Sequence, residues 1–440
     1  MIEPLLAADN HRDFLQRFRR CWEGDPDKDR LLLRLAREAA ARAHRDDYGR
    51  DAFQGYAGLI AAIQASEWLD PRVRMDPVAQ ALWAMGGEGL PDPFDMDWER
   101  AVGDAGDLKA PMDELWGQGR VEAVCAGLGQ ARASEVAESL TAWLLMRALP
   151  DTWDHGRRFT LMAQSVRLCR WAQWEAGEAL LFPAVHCALR APSDAEPWQW
   201  LEMALAHSPI RQDHVSGAQR FLRPAQAASI AVWTREGNRE ALVSDLLRLL
   251  SEGVSIPALY DGLMSASAGL IETSAPPGWR GAVQTFLFME ALSEAFGELD
   301  PVDLVRALLL GGLLLRQAAR ESAGGAPEPE WPDATASQSL AVWGNLAGAL
   351  DCGDETEARR LIASALAAGC GDRSLSLFFG AYGARNDGRL YSSLDLQFVC
   401  AALTAASRAH SQTRRRILSA LIHFLSRCEK DHQLWEQFET

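Results

Sequence analysis

Helical periodicity recurs along almost the whole chain and restricts its fold more than any other feature. Leucine and alanine return every three or four residues, with charged residues between them, in five clear segments: 29–44, 134–149, 239–250, 301–320 and 357–368. Asp300 followed by Pro301 is typical of a helix start. Alternating strand patterns around Asn-Gly or Asp-Gly turns do not occur. The sequence therefore predicts an all-α protein.

An internal repeat organises these helices. The aligned segments are 158–189, 284–315 and 395–426. Each begins with a polar residue, reaches an aliphatic residue eight positions later, and passes through a polar turn into a second helix. A weaker fourth copy runs from near Tyr56 to near Trp83. We expect four helical-hairpin modules, forming a bundle around a shared centre or a solenoid-like array; chance similarity between amphipathic hairpins is the alternative.

Two segments without helical periodicity divide the chain. Residues 86–98 are rich in Gly, Pro and Asp, and the Pro and Gly residues of 321–334 cannot continue a helix. Pro183 lies inside a helical pattern and predicts a kink near Leu181. The predicted organisation is an N-terminal helical region 1–90, a central helical domain 91–320, a linker 321–334 and a C-terminal helical region 335–440.

Composition argues against several classes of protein. The net charge of −16 is unfavourable for binding nucleic acid. The longest apolar stretch, 307–315, is far shorter than the roughly 20 residues that span a membrane. No basic region followed by an apolar core begins the chain, so we expect no signal peptide. Eight scattered cysteines without a Cys-x-x-Cys pair are typical of a reducing compartment. We expect a cytoplasmic protein with neither a nucleic-acid nor a membrane partner.

Common patterns of metal and cofactor sites are absent. No histidine pair has metal-ligand spacing, and a single Glu-x-x-His, Glu429 to His432, is too little for a di-iron bundle. The sequence predicts no metal site and no bound cofactor. His186 and His423 stand at equivalent places in two repeats, which makes them candidates for a site assembled from distant helices. The alternative is that both are hydrogen-bonded histidines of the core.

The segment Trp153–Arg158 is the best single candidate for chemistry. A tryptophan, an Asp-His pair, a Gly turn and two arginines precede a helix, so the segment could hold a planar or anionic ligand. His155 beside Asp154 suits a general base. An ordinary loop with an Asp N-cap is the alternative.

Two short motifs resemble those of a known family. An Asp-x-Gly-His-Lys motif corresponds to residues 154–158, and a His-Ala-Val-Thr motif corresponds to residues 281–285. On these residues the chain resembles the questin-oxidase-like proteins and related bacterial helical proteins, across about residues 30–320. Where the family pattern has histidine, this chain has other residues: Tyr56, Arg157, Gly281 (or Gln284) and Asp395.

The resemblance implies Baeyer–Villiger-type oxygenation of polyketide-derived ketones, which the replaced histidines put in question. We expect a divergent relative that binds, and oxidatively tailors, an aromatic or polyketide-like small molecule. The predicted catalytic residues are His155, Arg157, Tyr56 and Asp395. The predicted substrate-binding residues are Trp153, Arg158, Gln284, His186 and His423. A catalytically inactive ligand-binding relative and a helical scaffold for a protein partner are the alternatives, and exposed tryptophans on one face would mark the scaffold.

Overall fold

The computed structural model describes residues 10–43, 50–69, 73–86, 109–133, 137–274, 278–322, 341–384 and 394–428, with residues 5, 8, 331 and 332. Within these ranges the chain forms 21 helices and no strand. The all-α prediction is confirmed. The helix start expected at Ser134, the Glu429–His432 pair and most of the two predicted dividing segments lie outside the described residues.

The helices follow one another with short connections. They are α1 (His11–Gly24), α2 (Lys28–Ala40), α3 (Arg50–Trp68), α4 (Asp76–Gly86), α5 (Lys109–Gly117), α6 (Val121–Ala133), α7 (Ala137–Ala148), α8 (Trp153–Trp171), α9 (Gly177–Arg190), α10 (Glu196–His207), α11 (Gln212–Val215), α12 (Pro224–Glu236), α13 (Arg239–Ser251), α14 (Ile256–Thr273), α15 (Trp279–Ala295), α16 (Pro301–Glu321), α17 (Ala341–Asp351), α18 (Glu355–Ala367), α19 (Asp372–Gly383), α20 (Leu394–Arg408) and α21 (Ser411–Arg427).

Local sequence signals set several of these boundaries. The Asp300 carboxylate accepts hydrogen bonds from the backbone N–H groups of Val302 and Asp303, so the predicted start of α16 is confirmed. The helix α9 runs through Pro183 without ending, although this proline cannot donate the usual backbone hydrogen bond. All eight cysteines are free thiols, and five of them are buried, four within helices and Cys428 just after the end of α21.

The predicted repeat corresponds to four helical hairpins. The pairs α3–α4, α8–α9, α15–α16 and α20–α21 each pack as neighbouring helices. The first helices of these hairpins also contact one another in a closed ring, in the order α3, α8, α15, α20 and back to α3. Four hairpin modules therefore surround a shared centre, and α14 packs outside the ring against α15 and α21.

The four helices of the central ring run parallel. In each pair of neighbouring helices, contacts that lie later in one helix also lie later in the other. Side chains on α8 and α15 meet in the order His155–Thr285 and Arg167–Glu290. Helices α15 and α20 meet first at Phe286–Phe398 and then at Ser293–Arg408. Helices α20 and α3 meet first at Gln397–Gln54 and then at Thr404–Gln64. All four N-terminal ends therefore lie at one end of the ring, and they define the site described below.

Helices of the predicted C-terminal region are part of this centre. The α20 thiol of Cys400 lies 3.3 Å from the carbonyl oxygen of Ala61 on α3, and the α21 hydroxyl of Thr413 donates to Asp261 on α14 at 2.6 Å. The domain boundaries remain predictions, but packing joins the regions on both sides of residues 321–334. Among the described helices, none combines the length and the apolar character needed to cross a lipid bilayer.

Candidate functional site

Buried polar side chains occupy the first two turns of the four central helices. Tyr56 on α3, Arg157 on α8, Gln284 on α15 and Asp395 on α20 are each no more than 5% exposed. Since the four helices start at the same end of the ring, these four residues lie at one level of the molecule. We call this level the polar layer. The aligned repeats begin at Arg158, Gln284 and Asp395, with a weaker copy near Tyr56, so Arg157 lies one residue before the aligned position. The structure gathers the helix turns that carry these residues.

Helix α8 carries a stripe of buried polar residues that begins at Arg157. Arg157, Thr160 and Gln164 are buried and share one helix face, at spacings of three and four residues. The carboxamide oxygen of Gln164 is buried without a hydrogen-bond partner in the described part of the chain. A buried amide without a partner costs about 1–3 kcal/mol, so this stripe favours a bound ligand or water.

The backbone before the regular part of α8 is left-handed at three consecutive residues. The φ angles are 48° at Asp154, 58° at His155 and 80° at Gly156. Left-handed residues normally occur singly, because the conformation disfavours a side chain by about 1–2 kcal/mol per residue. Strain of this kind persists where the surrounding structure fixes it, and it is concentrated at functional sites.

This left-handed turn places the His155 imidazole between α15 and α16. Its Nε2 lies 2.9 Å from the Glu321 carboxylate at the end of α16, and its Nδ1 lies 3.5 Å from the Thr285 hydroxyl oxygen. Gly281 makes room for the ring, because a Cβ at that position would lie 2.8 Å from Nε2. His155 is buried whereas Glu321 is half exposed, so the pair connects the polar layer with solvent.

Two arginines hold the Asp154 side chain. Its carboxylate lies 2.9 Å from the Arg280 guanidinium and 3.3 Å from that of Arg157. Burial alone would raise the pKa of Asp154, but the charges of Arg157 and Arg280 outweigh burial and lower it. The Arg157 guanidinium also lies 5.8 Å from the centre of the Trp153 ring, within cation–π range. Trp153 and Arg157 therefore face each other at the edge of the polar layer.

Arg158, predicted to bind substrate, is engaged by the protein itself. Its guanidinium forms an ion pair with Asp151 at 2.6 Å and donates to the carbonyl oxygens of Ala191 and Pro192. The Asp151 carboxylate also accepts from the Ser193 hydroxyl at 2.6 Å. These contacts fix the start of α8 to the end of α9.

Tyr56, predicted as catalytic, donates its phenol hydrogen to the backbone. The hydroxyl lies 2.7 Å from the Leu180 carbonyl oxygen on α9, in the turn that precedes Pro183. Complete burial raises the pKa of Tyr56 well above its ordinary value, so the phenol stays neutral. In this arrangement Tyr56 joins α3 to α9 through its hydroxyl.

The two candidate histidines of the repeat make their contacts with residues other than Tyr56, Arg157, Gln284 and Asp395. His186 on α9 packs between the rings of Phe53 and Phe182, with centroid distances of 5.9 and 5.7 Å. His423 on α21 lies on another side of the first turn of α15, where its Nδ1 is 3.0 Å from the Glu355 carboxylate. The structure therefore does not bring these two histidines together with His155.

The direction of the four central helices gives the polar layer a positive electrostatic character. Each helix N-terminus carries about half a positive charge, and four of them meet here. Arg157 and Arg280 add two positive charges, while Asp154, held between them, and Asp395 on α20 bring two negative charges. The positive character therefore comes from the four helix N-termini, which suit an anionic ligand. No group of three or more His, Cys, Asp and Glu side chains in the described ranges is arranged to hold a metal ion.

Three residues of the site were absent from the sequence predictions. Glu321 was assigned to the linker, although it is the last residue of α16. Gln164 and Thr160 could have been found, because polar residues at positions 157, 160 and 164 recur at helical spacing. Glu321 has no such signal, since only the tertiary packing brings α16 to α8.

Comparison with models of protein families, with curated proteins and with solved structures found no match. The resemblance to the questin-oxidase-like proteins thus rests on the two short motifs at residues 154–158 and 281–285. The exposed tryptophans expected of a scaffold protein are absent from the described surface. The exposed large apolar residues there are Met203, Phe221, Val232 and Val302.

Proposed function

We propose that the polar layer binds a small aromatic, polyketide-like molecule with an acidic hydroxyl or an enolisable ketone, and that it binds this molecule as an anion. The observation that carries the proposal is the buried Gln164 oxygen without a partner, on the same face of α8 as the buried Arg157. A ligand hydroxyl would donate to Gln164, and the ligand's negative charge would lie near Arg157 and the four helix N-termini.

His155 is the proton acceptor in this proposal. The Thr285 hydroxyl donates to the Gly281 carbonyl oxygen at 2.8 Å, so its hydrogen is not directed at His155. With Nε2–H donating to Glu321, the lone pair of Nδ1 is left to take a proton from the ligand. The resulting imidazolium would be stabilised by the Glu321 carboxylate.

The same geometry supports the resemblance to the questin-oxidase-like proteins. The family motif has histidine where this chain has Gly281, and the His155 imidazole enters the space next to Gly281. We infer that His155 supplies, from a neighbouring helix, the imidazole that residue 281 lacks. Oxidative tailoring is the second step of the proposal: a carbon atom of the bound anion would form a bond to molecular oxygen, and the His155 imidazolium would return its proton to the resulting peroxide anion. Both oxygen atoms then stay on the product, and no separate reductant is needed.

The test is an absorbance titration with hydroxylated aromatic ketones of one, two and three fused rings. Proton transfer to His155 should shift the absorption band of the bound phenol to longer wavelength. His155→Asn should bind with a much smaller shift, because asparagine tolerates the left-handed backbone but does not accept the proton. His207→Asn, an exposed histidine on α10, is the matched control.

Two further measurements separate the alternatives. Gln164→Leu should weaken binding at least tenfold, and oxygen uptake by the complex, measured with an electrode, would distinguish an oxidising enzyme from a binding protein. Equal band shifts in the wild type and in His155→Asn would contradict the role of His155. Failure of every ketone to bind the wild type would contradict the proposed function.

The free thiols of the chain favour a cytoplasmic location for this activity.

A further inference from the structure

A groove lies at the other end of the molecule, between α12, α14 and the start of α21. It consists of two adjoining cavities of about 390 and 220 Å³, which share Phe221, Asp261 and His410 as lining residues. Helix α20 begins at the polar layer and ends beside this groove at Arg408. The groove is therefore a separate site, and its larger cavity has the volume of a small-molecule pocket.

One wall of the groove is apolar and exposed. Ala227, Ala231 and Val232 line it from α12, and Val232 is 49% exposed. Phe221 stands at the junction of the two cavities with 59% of its surface exposed, and its ring lies 4.7 Å from that of His410. Large apolar side chains exposed together next to a cavity are typical of a binding site.

The loop that carries Phe221 is held in place by hydrogen bonds. The Gln219 backbone donates to Gly253 at 2.9 Å and accepts from Ser255 at 3.1 Å. The Gln219 side chain donates to the Phe221 carbonyl oxygen at 2.7 Å and to Gln226 at 2.8 Å. Phe221 is therefore presented at the groove by a fixed loop.

The larger cavity is lined by two arginines, Arg235 and Arg416, and by two acidic residues, Glu236 and Asp261. The Arg235 guanidinium donates to the Gly269 carbonyl oxygen at 3.2 Å, and no carboxylate of the described chain lies within ion-pair distance of it. The Arg416 guanidinium lies against the same glycine, with its charge balanced by Glu272 at 3.6 Å. Both oxygens of Asp261 are engaged, one by the His410 N–H and one by the Thr413 hydroxyl.

We infer that this groove binds an amphipathic carboxylate. Its carboxylate would pair with Arg235, and its apolar body would lie along α12 and against Phe221. Arginine suits this task, because its planar guanidinium offers two parallel N–H donors to a carboxylate. The inference does not depend on the function proposed for the polar layer.

Calorimetric titration with decanoate below its micellar concentration tests the inference, with decan-1-ol as the uncharged probe. Decanoate should bind the wild type at least ten times more tightly than decan-1-ol. Arg235→Gln should weaken decanoate binding at least tenfold and leave decan-1-ol unchanged, whereas Arg235→Lys should retain most of the binding. Ala231→Phe, which fills the cavity, should weaken both. Arg30→Gln, an exposed arginine on α2, is the matched control and should change neither.

Circular dichroism confirms that each variant is folded before titration. Gln164→Leu, a variant of the polar layer, should bind decanoate like the wild type, so failure of the first proposal and failure of this one are distinguishable. Three results would overturn the inference: no binding of decanoate to the wild type, unchanged decanoate binding by Arg235→Gln, or unchanged binding by Ala231→Phe.

Discussion

The left-handed turn before α8 depends on the identity of single residues. Aspartate and histidine are among the residues that enter this conformation more readily, and Gly156 enters it without a steric penalty. Gly156 also lies directly against the Phe288 ring, where a Cβ would overlap the ring. Three residues of suitable type are therefore needed in sequence to bring His155 to Glu321.

Gly156→Ala should destabilise the protein by about 3 kcal/mol, because alanine disfavours the positive φ and its methyl group displaces Phe288. Urea unfolding measures the change. Gly344→Ala is the matched control: Gly344 lies in α17 with nothing near the added Cβ, so alanine should stabilise by about 0.5–1 kcal/mol. Equal effects of the two substitutions would contradict the account of the turn.

The sequence predicted the site best where the internal repeat aligned residues of different helices. Tyr56, Gln284 and Asp395 stand at the starts of aligned repeats and Arg157 lies one residue before the aligned Arg158, so their common level followed from the alignment. The role of Arg158 could not be predicted, since its partners Asp151 and Ala191 depend on how α9 packs against α8. The left-handed turn was equally hidden, because a Trp-Asp-His-Gly sequence is compatible with an ordinary N-cap.

At the scale of helices, ion pairs between charged side chains fix the register of neighbouring helices, which apolar packing alone does not specify. Arg167 on α8 bridges Glu290 and Glu294 on α15, at 2.8 and 2.9 Å. Burial raises the pKa of Glu290, while the charge of Arg167 opposes this rise. The ion pair therefore fixes the register between α8 and α15, and with it the position of Gly281 beside His155.

Arg167→Leu should lower the free energy of unfolding by about 3–5 kcal/mol, because it leaves the buried Glu290 without its charge partner. The double variant Arg167→Leu/Glu290→Leu should recover most of this loss. Denaturant unfolding of the two single variants and the double variant gives the coupling energy. If the loss of stability in the double variant equals the sum of the losses in the two single variants, Arg167 and Glu290 do not stabilise each other.

A second charged contact joins α18 to α21. Burial alone would raise the pKa of Glu355, but His423, Arg427 and Arg359 outweigh burial and lower it from 4.5 to about 2. A carboxyl whose pKa is lowered by folding stabilises the protein above its unfolded pKa, and this stabilisation is lost as the pH falls toward the folded value.

Glu355→Gln should therefore destabilise the protein by about 3 kcal/mol at pH 7, and the difference from the wild type should shrink by about 2 kcal/mol at pH 3. Urea unfolding at the two pH values measures both effects. Glu357→Gln, at an exposed position of the same helix, should change stability by less than about 0.5 kcal/mol at either pH. A pH-independent effect of Glu355→Gln would contradict the linkage.

At the scale of the whole molecule, the first and last parts of the chain share one centre. Helix α3 from the N-terminal region and α20 from the C-terminal region are neighbours in the ring. The all-α class and the hairpin modules could be predicted from local periodicity, which repeats within each module. The parallel direction of the central helices could not, because it depends on contacts between residues more than a hundred positions apart.

Removal of residues 335–440 should prevent the rest of the chain from folding cooperatively. The shortened chain would expose the α3 and α15 surfaces that α20 covers, including Phe286. The intact chain should unfold in one transition, with the same midpoint by circular dichroism and by tryptophan fluorescence. A well-folded 1–334 fragment with a sharp thermal transition would contradict this expectation.

Hydrogen exchange with and without the tightest-binding aromatic ketone tests the central claim most directly. If the ligand lies in the polar layer, exchange should slow together in the first turns of α3, α8, α15 and α20, while α12 at the distant groove stays unchanged. Protection confined to α12 and α14, or to one helix of the ring, would contradict the claim that four parallel helices form a ligand site at their shared end.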